Sequence, residues 1–139
     1  MSQSPLAAEW AVLQNQCDSY EKFSLLIKLL AIALLSITVV SGSESLLMPA
    51  LLLVLWLQDA IWKTFQGRIE ARLLQLESCL ADREAPTSLN QKPYQYNTQF
   101  AENRPGTLGL IAEYLQQALR PTVAYPHLVL VLLAVLNAC

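Results

Sequence analysis

The amino-acid sequence predicts an all-α integral membrane protein built on a long antiparallel helical hairpin. Its two transmembrane helices extend as a cytoplasmic coiled-coil stalk, and a linker, an amphipathic helix and a C-terminal apolar helix follow. Three observations carry this reading. The chain is 54% hydrophobic and only 14% charged, where an ordinary soluble domain has about a quarter of its residues charged. Two apolar stretches, residues 25–40 and 46–62, each approach the roughly 20 residues a spanning helix needs. Apolar side chains also recur at three- and four-residue steps beyond both stretches, which carries helix out of the bilayer.

The first element starts near Ser4 and Pro5, since serine caps free amides and proline is favoured in the first helical position. Leu6, Trp10, Leu13, Cys17, Tyr20 and Ser24 then fall on one face in alternating steps of four and three, a heptad seam. Glu9, Asp18 and Glu21 precede the apolar run, where a secretory signal would carry a short basic region, so the first span is expected to be retained. The reversal is Ser41 to Ser45 around Gly42, residues suited to a tight turn. Pro49 follows in the first turn of the second helix, where a missing amide costs little.

The second span ends toward Trp62, an interfacial aromatic anchor. Trp62, Phe65, Ile69, Leu73, Leu76 and Leu80 continue an apolar stripe past it. Folding the chain about Ser43 sets Trp10 beside the Leu76 region and Cys17 beside Ile69. The expected interaction seam is therefore Leu6, Trp10, Leu13, Phe65, Ile69 and Leu76. Gly67 interrupts good helix formers and offers a place for another helix to approach. Lys22 and Lys28 precede the first span, Lys63, Arg68 and Arg72 follow the second, and the reversal carries no basic residue. By the positive-inside rule the N-terminus is cytoplasmic, in the cell's inner membrane.

Lys28 and Asp59 lie almost equally far from the reversal, at the inner end of their spans. Charges at such depth pair or snorkel. Two arrangements are open: an intramembrane Lys28–Asp59 pair, structural or part of an ion pathway, or an Asp59–Lys63 contact along one helix with Lys28 snorkelling.

Residues 83–106 change to Pro, Asn, Gln, Ser and Tyr, with Pro86, Pro93 and Pro105 against a continuous helix. They read as a linker in which Tyr94, Tyr96 and Phe100 form either a strand-like alternation or a strip packing across a neighbouring helix. The hairpin with its stalk thus covers residues 1–82, with spans at about 24–41 and 46–62, and a third region covers 107–139. In it, Leu108, Ile111, Leu115 and Ala118 share the face of an amphipathic helix ending before Pro121, free to lie on the membrane or on the stalk. The tail beyond Pro121 forms a third span if helical throughout. If Pro126 opens the helix instead, too few residues remain to cross.

Chemistry has few candidates. Cys17, Cys79 and Cys139 match no zinc, haem or redox spacing and are expected to be inert, the first two in a reducing compartment. His127 has no second histidine or cysteine pair for a metal site and is expected to bond a carbonyl or carboxylate. Glu70, Glu77 and Asp82 read as a solvated face. No nucleotide or hydrolase motif occurs, so no enzyme activity, cofactor or metal is expected. Nine basic and eleven acidic residues are scattered along the chain, which excludes a phosphate-tracking basic stripe and with it nucleic acid.

The expected partners are the lipid bilayer and either further copies of the chain or a larger membrane complex. The leading functional reading is a structural or accessory subunit of an inner-membrane assembly acting through helix packing. The alternative is an oligomeric pore or membrane permeabiliser, whose polar lining would come from Ser36, Thr38, Gln58, Asp59 and Lys28. The layout of the first eighty or so residues resembles that of small two-span effectors in bacterial defence systems, and three spans resemble some phage holins. A membrane enzyme is the third reading.

Overall fold

Ser4 opens the first helix by accepting the Ala7 amide on its side-chain oxygen at 3.2 Å, with Pro5 in the first helical position. This is α1, Pro5–Ser41. It ends at Gly42, whose left-handed φ of 62° is accessible to glycine without a Cβ clash. The Gly42 amide caps the Thr38 and Val39 carbonyls. Among the described residues four further helices follow: α2, Leu47–Ala81; α3, Tyr96–Glu102; α4, Thr107–Ala118; and α5, Pro121–Ala138. The computed structural model describes residues 4–42, 47–81, 93–102 and 104–138. Residues 43–45 of the expected reversal, with Leu46, and residues 83–92 and 103 of the expected linker, including Pro86, lie outside the described residues, as do Asp82 and Cys139.

Three of these helices, α1, α2 and α5, are long and apolar enough to cross a membrane. α5 begins at Pro121 and keeps Pro126 in its interior. Proline there removes one intrahelical bond without ending the helix, and the 18 residues of α5 measure about 27 Å.

α1 and α2 pack along much of their length in opposite directions: Trp10 reaches Glu77, Cys17 meets Gln66, the Tyr20 ring packs at a tilt against Trp62 and Ser24 bonds Asp59. Two apolar clusters result. Leu13, Cys17, Ile69, Leu73 and Leu76 are buried together, with Leu6, Trp10, Tyr20 and Tyr96 packed around them. At the other end Ala31, Leu35 and Leu52 of α1 and α2 meet Leu130 and Ala134 of α5. Ala31, Ala60 and Ala134 are all but inaccessible, and small side chains of this kind let helix backbones approach closely.

Phe65 departs from the expected seam. It is exposed beneath the Arg68 guanidinium, and the interface position one residue on is taken by Gln66, which donates to Cys17 Sγ. Spacing from Ile69 admits either residue, four or three positions back, and the geometry of the helix pair selects the three-residue step.

Two other features differ from a linker followed by a conventional amphipathic helix. A short helix, α3, occupies residues within the stretch that reads as a linker, so Tyr96 and Phe100 are helical and not strand-like. α4 is turned around: Leu108, Ile111, Leu115 and Leu119 point away from the protein at 49–84% exposure, while Glu113, Tyr114 and Gln117 are half-buried toward α2. α4 passes over Gly67, with Gln117 Nε2 3.6 Å from where its Cβ would stand, an ordinary contact distance that an alanine would also allow.

The burial pattern predicts that Leu76→Ala, at a side chain only 1% exposed, lowers stability by about 2–5 kcal/mol. Val12→Ala, at an exposed position of α1, should change it by less than about 0.5 kcal/mol. Denaturant unfolding of the detergent-solubilised chain followed by circular dichroism checks both.

Candidate functional site: a buried carboxylate joining three helices

Asp59 lies on the inward face of α2, one residue before the small Ala60, and both are fully buried. A carboxylate in that position must find donors within the protein. α1 supplies two from one face, since Ser24 and Lys28 are one helical turn apart. Ser24 Oγ donates to Asp59 Oδ1. Lys28 Nζ stands 2.9 Å from Oδ2 and also donates to Ser24 Oγ at 2.8 Å. α5 supplies the third: His127 Nε2 is 3.1 Å from Asp59 Oδ2. One carboxylate thus joins three helices.

The sequence offered Lys63 as a rival partner for Asp59, but the Lys63 ammonium instead bonds Gln66 Oε1 at 2.8 Å. The charges of Lys28 and Asp59 offset one another, and His127 adds a hydrogen bond. Bonded through Nε2, His127 leaves Nδ1 buried with no hydrogen-bond partner among the described residues. The ring of Trp56 lies nearly parallel to the imidazole, 8° between planes and 6.2 Å between centroids, while its Nε1 donates to the Ala118 carbonyl at 3.1 Å. Trp56 thereby fastens the end of α4 as well as covering His127. Nearby, Trp62 sits between Tyr20 and Phe23, its ring centroid 5.1 and 5.3 Å from theirs.

A second buried pair fastens the opposite end. Arg72 Nε bonds Glu9 Oε1 at 3.0 Å and Arg72 Nη2 bonds Oε2 at 3.4 Å, with both side chains almost fully buried. The Tyr94 amide also donates to Glu9 Oε2. Tyr94 reaches that position with a left-handed φ of 62°, a conformation that costs a non-glycine residue of order 1–3 kcal/mol. Gln99 of α3 accepts a further bond from Arg72 at 3.3 Å. Arg68 bonds Glu113 of α4 at 2.6 Å and covers the ring of Phe100, 4.6 Å from its centroid. Burial raises the ionisation of the Tyr96 phenol above its ordinary range, and the neighbouring Tyr20 adds to the shift.

Of the expected seam, Leu13, Ile69 and Leu76 are buried in one cluster, Leu6 and Trp10 flank it, and Phe65 lies outside it. In the sequence Glu9 is part of an acidic N-terminus and Arg72 an orientation signal. Their pairing is not visible there because charged residues beside a seam normally face water. One signal was available: the seam places Glu9 next to Trp10 on the side facing the second helix. Glu77 accepts the Trp10 indole proton at 3.1 Å, so it has a packing partner as well as solvent. Ser36 and Thr38, offered above as pore lining, donate their hydroxyls to Ile32 and Leu34 of their own helix.

These features define an all-helical protein with three helices able to cross a membrane and a buried ionic cluster between them. The chain matches no family model, no curated protein and no solved structure.

Removing one partner of a buried pair leaves the other charge uncompensated. Asp59→Ala is therefore expected to cost about 3–5 kcal/mol, and the double variant Asp59→Leu with Lys28→Met to recover most of that loss. Unfolding of the purified variants measures it; a single-variant loss below about 1 kcal/mol would show that the cluster does not fasten these helices.

Proposed function

We propose that this chain is a structural or accessory subunit of an inner-membrane assembly, spanning the bilayer three times and acting through helix packing. The N-terminus is cytoplasmic, as the distribution of Lys22, Lys28, Lys63, Arg68 and Arg72 favours. The observation that carries the reading is the outward face of the three apolar helices. Only 17–22% of the most apolar stretch of each is buried within the chain. Leu25, Leu29, Ile32, Leu53, Val54, Leu57, Leu132 and Leu133 are all about half exposed. Such surfaces require lipid or the helices of other subunits.

On this reading α1 and α2 form a hairpin, and their Glu9–Arg72 end stands in the cytoplasm as an antiparallel coiled-coil stalk. Its seam residues are occupied within the chain, so the docking surface lies beside it. A groove of about 390 Å³ there is bordered by Asp18, Glu21, Glu70 and Glu77, with Leu73 and Leu74 among its lining. Leu74 is 67% exposed. Four carboxylates beside Leu73 and Leu74 complement a partner helix carrying basic residues beside an apolar anchor. The buried ionisable groups of the site support a fastening role in the same way: Glu9 spends its oxygens on Arg72 of α2 and the Tyr94 amide, and Asp59 spends its own on α1 and α5.

Two measurements test the proposal. Affinity purification of the chain from native membranes in mild detergent should retain a stoichiometric partner or further copies, and Leu74→Asp should reduce that retention at least fivefold without changing helicity. Recovery of the monomer alone, under conditions that preserve other membrane complexes, would refute the assembly reading. Topology is read from single cysteines in a background with the native ones replaced by serine. Val40→Cys and Leu136→Cys, at positions 89% and 73% exposed, should react with an impermeant maleimide from outside the cell, and a cysteine restored at position 79 only after the inner membrane is opened.

A further inference from the structure

We propose that the cleft where the first turn of α5 meets α1 and α2 seats the phosphate of an anionic phospholipid, an inference that rests on the three-span orientation above. The cleft measures about 300 Å³ and is open on one side. Its basic lining comes from two helices, Lys22 and Lys28 of α1 and Lys63 of α2, and Thr122 of α5 closes it. Among the described residues Glu21 is the one carboxylate on the wall; with Lys28 offset by Asp59 behind it, Lys22 and Lys63 leave the cleft with a net positive charge.

The donors suit a phosphodiester. An ammonium group has three N–H donors, and Lys28 directs two of them to Asp59 and Ser24, leaving one for the cleft. Lys63 directs one to Gln66 and keeps two. Lys22 is exposed, and its long stem can carry the ammonium group over a bound anion. Thr122 belongs to the first turn of α5, where the Val123 and Ala124 amides are already bonded to the Arg120 carbonyl, so its contribution is its side-chain hydroxyl. The buried Asp59 holds Lys28 in place, so one of the three cations is already oriented before any ligand arrives.

The apolar side of the cleft selects a lipid over a free phosphate. Leu25 lines it, and Leu29 and Ile32 follow on the same strip of α1, at 56%, 51% and 46% exposure. That strip leads from the cleft along the apolar length of α1 and offers a track for an acyl chain. The depth agrees as well: the apolar stretches of α1 and α5 begin here and that of α2 ends here. Basic pockets between spans at the cytoplasmic face are suited to anionic headgroups.

The test uses the purified full chain in detergent, with native mass spectrometry counting retained ligand. Dioctanoyl phosphatidylglycerol, dioctanoyl phosphatidylcholine and inorganic phosphate are titrated in separate arms. One phosphatidylglycerol should be retained in clear preference to phosphatidylcholine, and inorganic phosphate should neither bind stably nor displace it. Lys22→Gln combined with Lys63→Gln, which leaves the Asp59 cluster intact, should weaken retention by about fivefold per lysine. Glu21→Gln should strengthen it.

Equal retention of the two lipids would overturn the proposal, as would a double variant that folds normally and binds undiminished. Competition by inorganic phosphate at equal affinity would overturn the lipid assignment in favour of a soluble anion. If the double variant loses helicity, the Glu21→Gln arm decides: tighter binding supports the site and unchanged or weaker binding refutes it. Extraction by alkaline carbonate would refute the spanning orientation itself. A firmly inserted chain with no lipid preference refutes only the cleft.

Discussion

Asp59 is the constraint around which the three apolar helices are arranged. A carboxylate with no access to solvent is tolerated only where donors are supplied by the protein, and here they come from two other helices. Ser24 and Lys28 set the rotation of α1, because only a face carrying both positions can reach the same carboxylate. His127 sets the rotation and depth of α5. With these three side chains in place, Ala31, Leu35, Leu52, Leu130 and Ala134 fall into one cluster at a level farther along the helices. Apolar packing alone leaves long helices free to slide by a turn, since leucines recur at every level of α1, α2 and α5; a single polar contact set does not.

Glu9 and Arg72 repeat this logic at the other end of the α1–α2 pair. Two ionic contacts separated along the same pair of helices determine register better than one, because a slip must break both. The second contact also brings in the chain beyond α2. Glu9 accepts the Tyr94 amide, Arg72 reaches Gln99, and Arg68 engages Phe100 and Glu113. The charged end of α2 is therefore a platform for α3 and α4, which hold few apolar contacts of their own. This explains how segments with no fully buried residue keep a defined place.

The periodic features were legible in the sequence, and the singular ones were not. Both long helices follow from apolar spacing and from Ser4, Pro5 and Gly42, whose backbone preferences act locally. The level of Lys28 against Asp59 follows from counting out from the reversal, because two antiparallel helices rise equally per residue. His127 could not be placed the same way: between it and α2 lie residues 82–120, whose path no periodicity determines. Arg72 was hidden by its company, since Arg68 and Arg72 look alike in a sequence, and one turns to Glu9 of α1 while the other turns to α3 and α4. α3 was masked by composition, because prolines on both sides of a seven-residue helix outweigh the weak signal of the helix itself.

α4 bears most directly on how the protein meets its surroundings. A helix that packs on a water-soluble core turns its apolar stripe inward; α4 turns Glu113 and Gln117 inward and leaves Leu108, Ile111, Leu115 and Leu119 outside. In water that arrangement exposes apolar surface with nothing to offset it. At the boundary of a bilayer it becomes favourable, since an apolar stripe of this width buries into the headgroup and acyl region while the polar face remains with the protein. The end of α4 is tied by Ala118 to Trp56, a residue within the apolar stretch of α2, and α5 starts three residues later. A membrane surface at the level of the Asp59 cluster would account for the outward leucines of α4, the lysines ahead of the apolar stretches and the aromatic group around Trp62 with one boundary, where an aqueous environment leaves each of them to be explained separately.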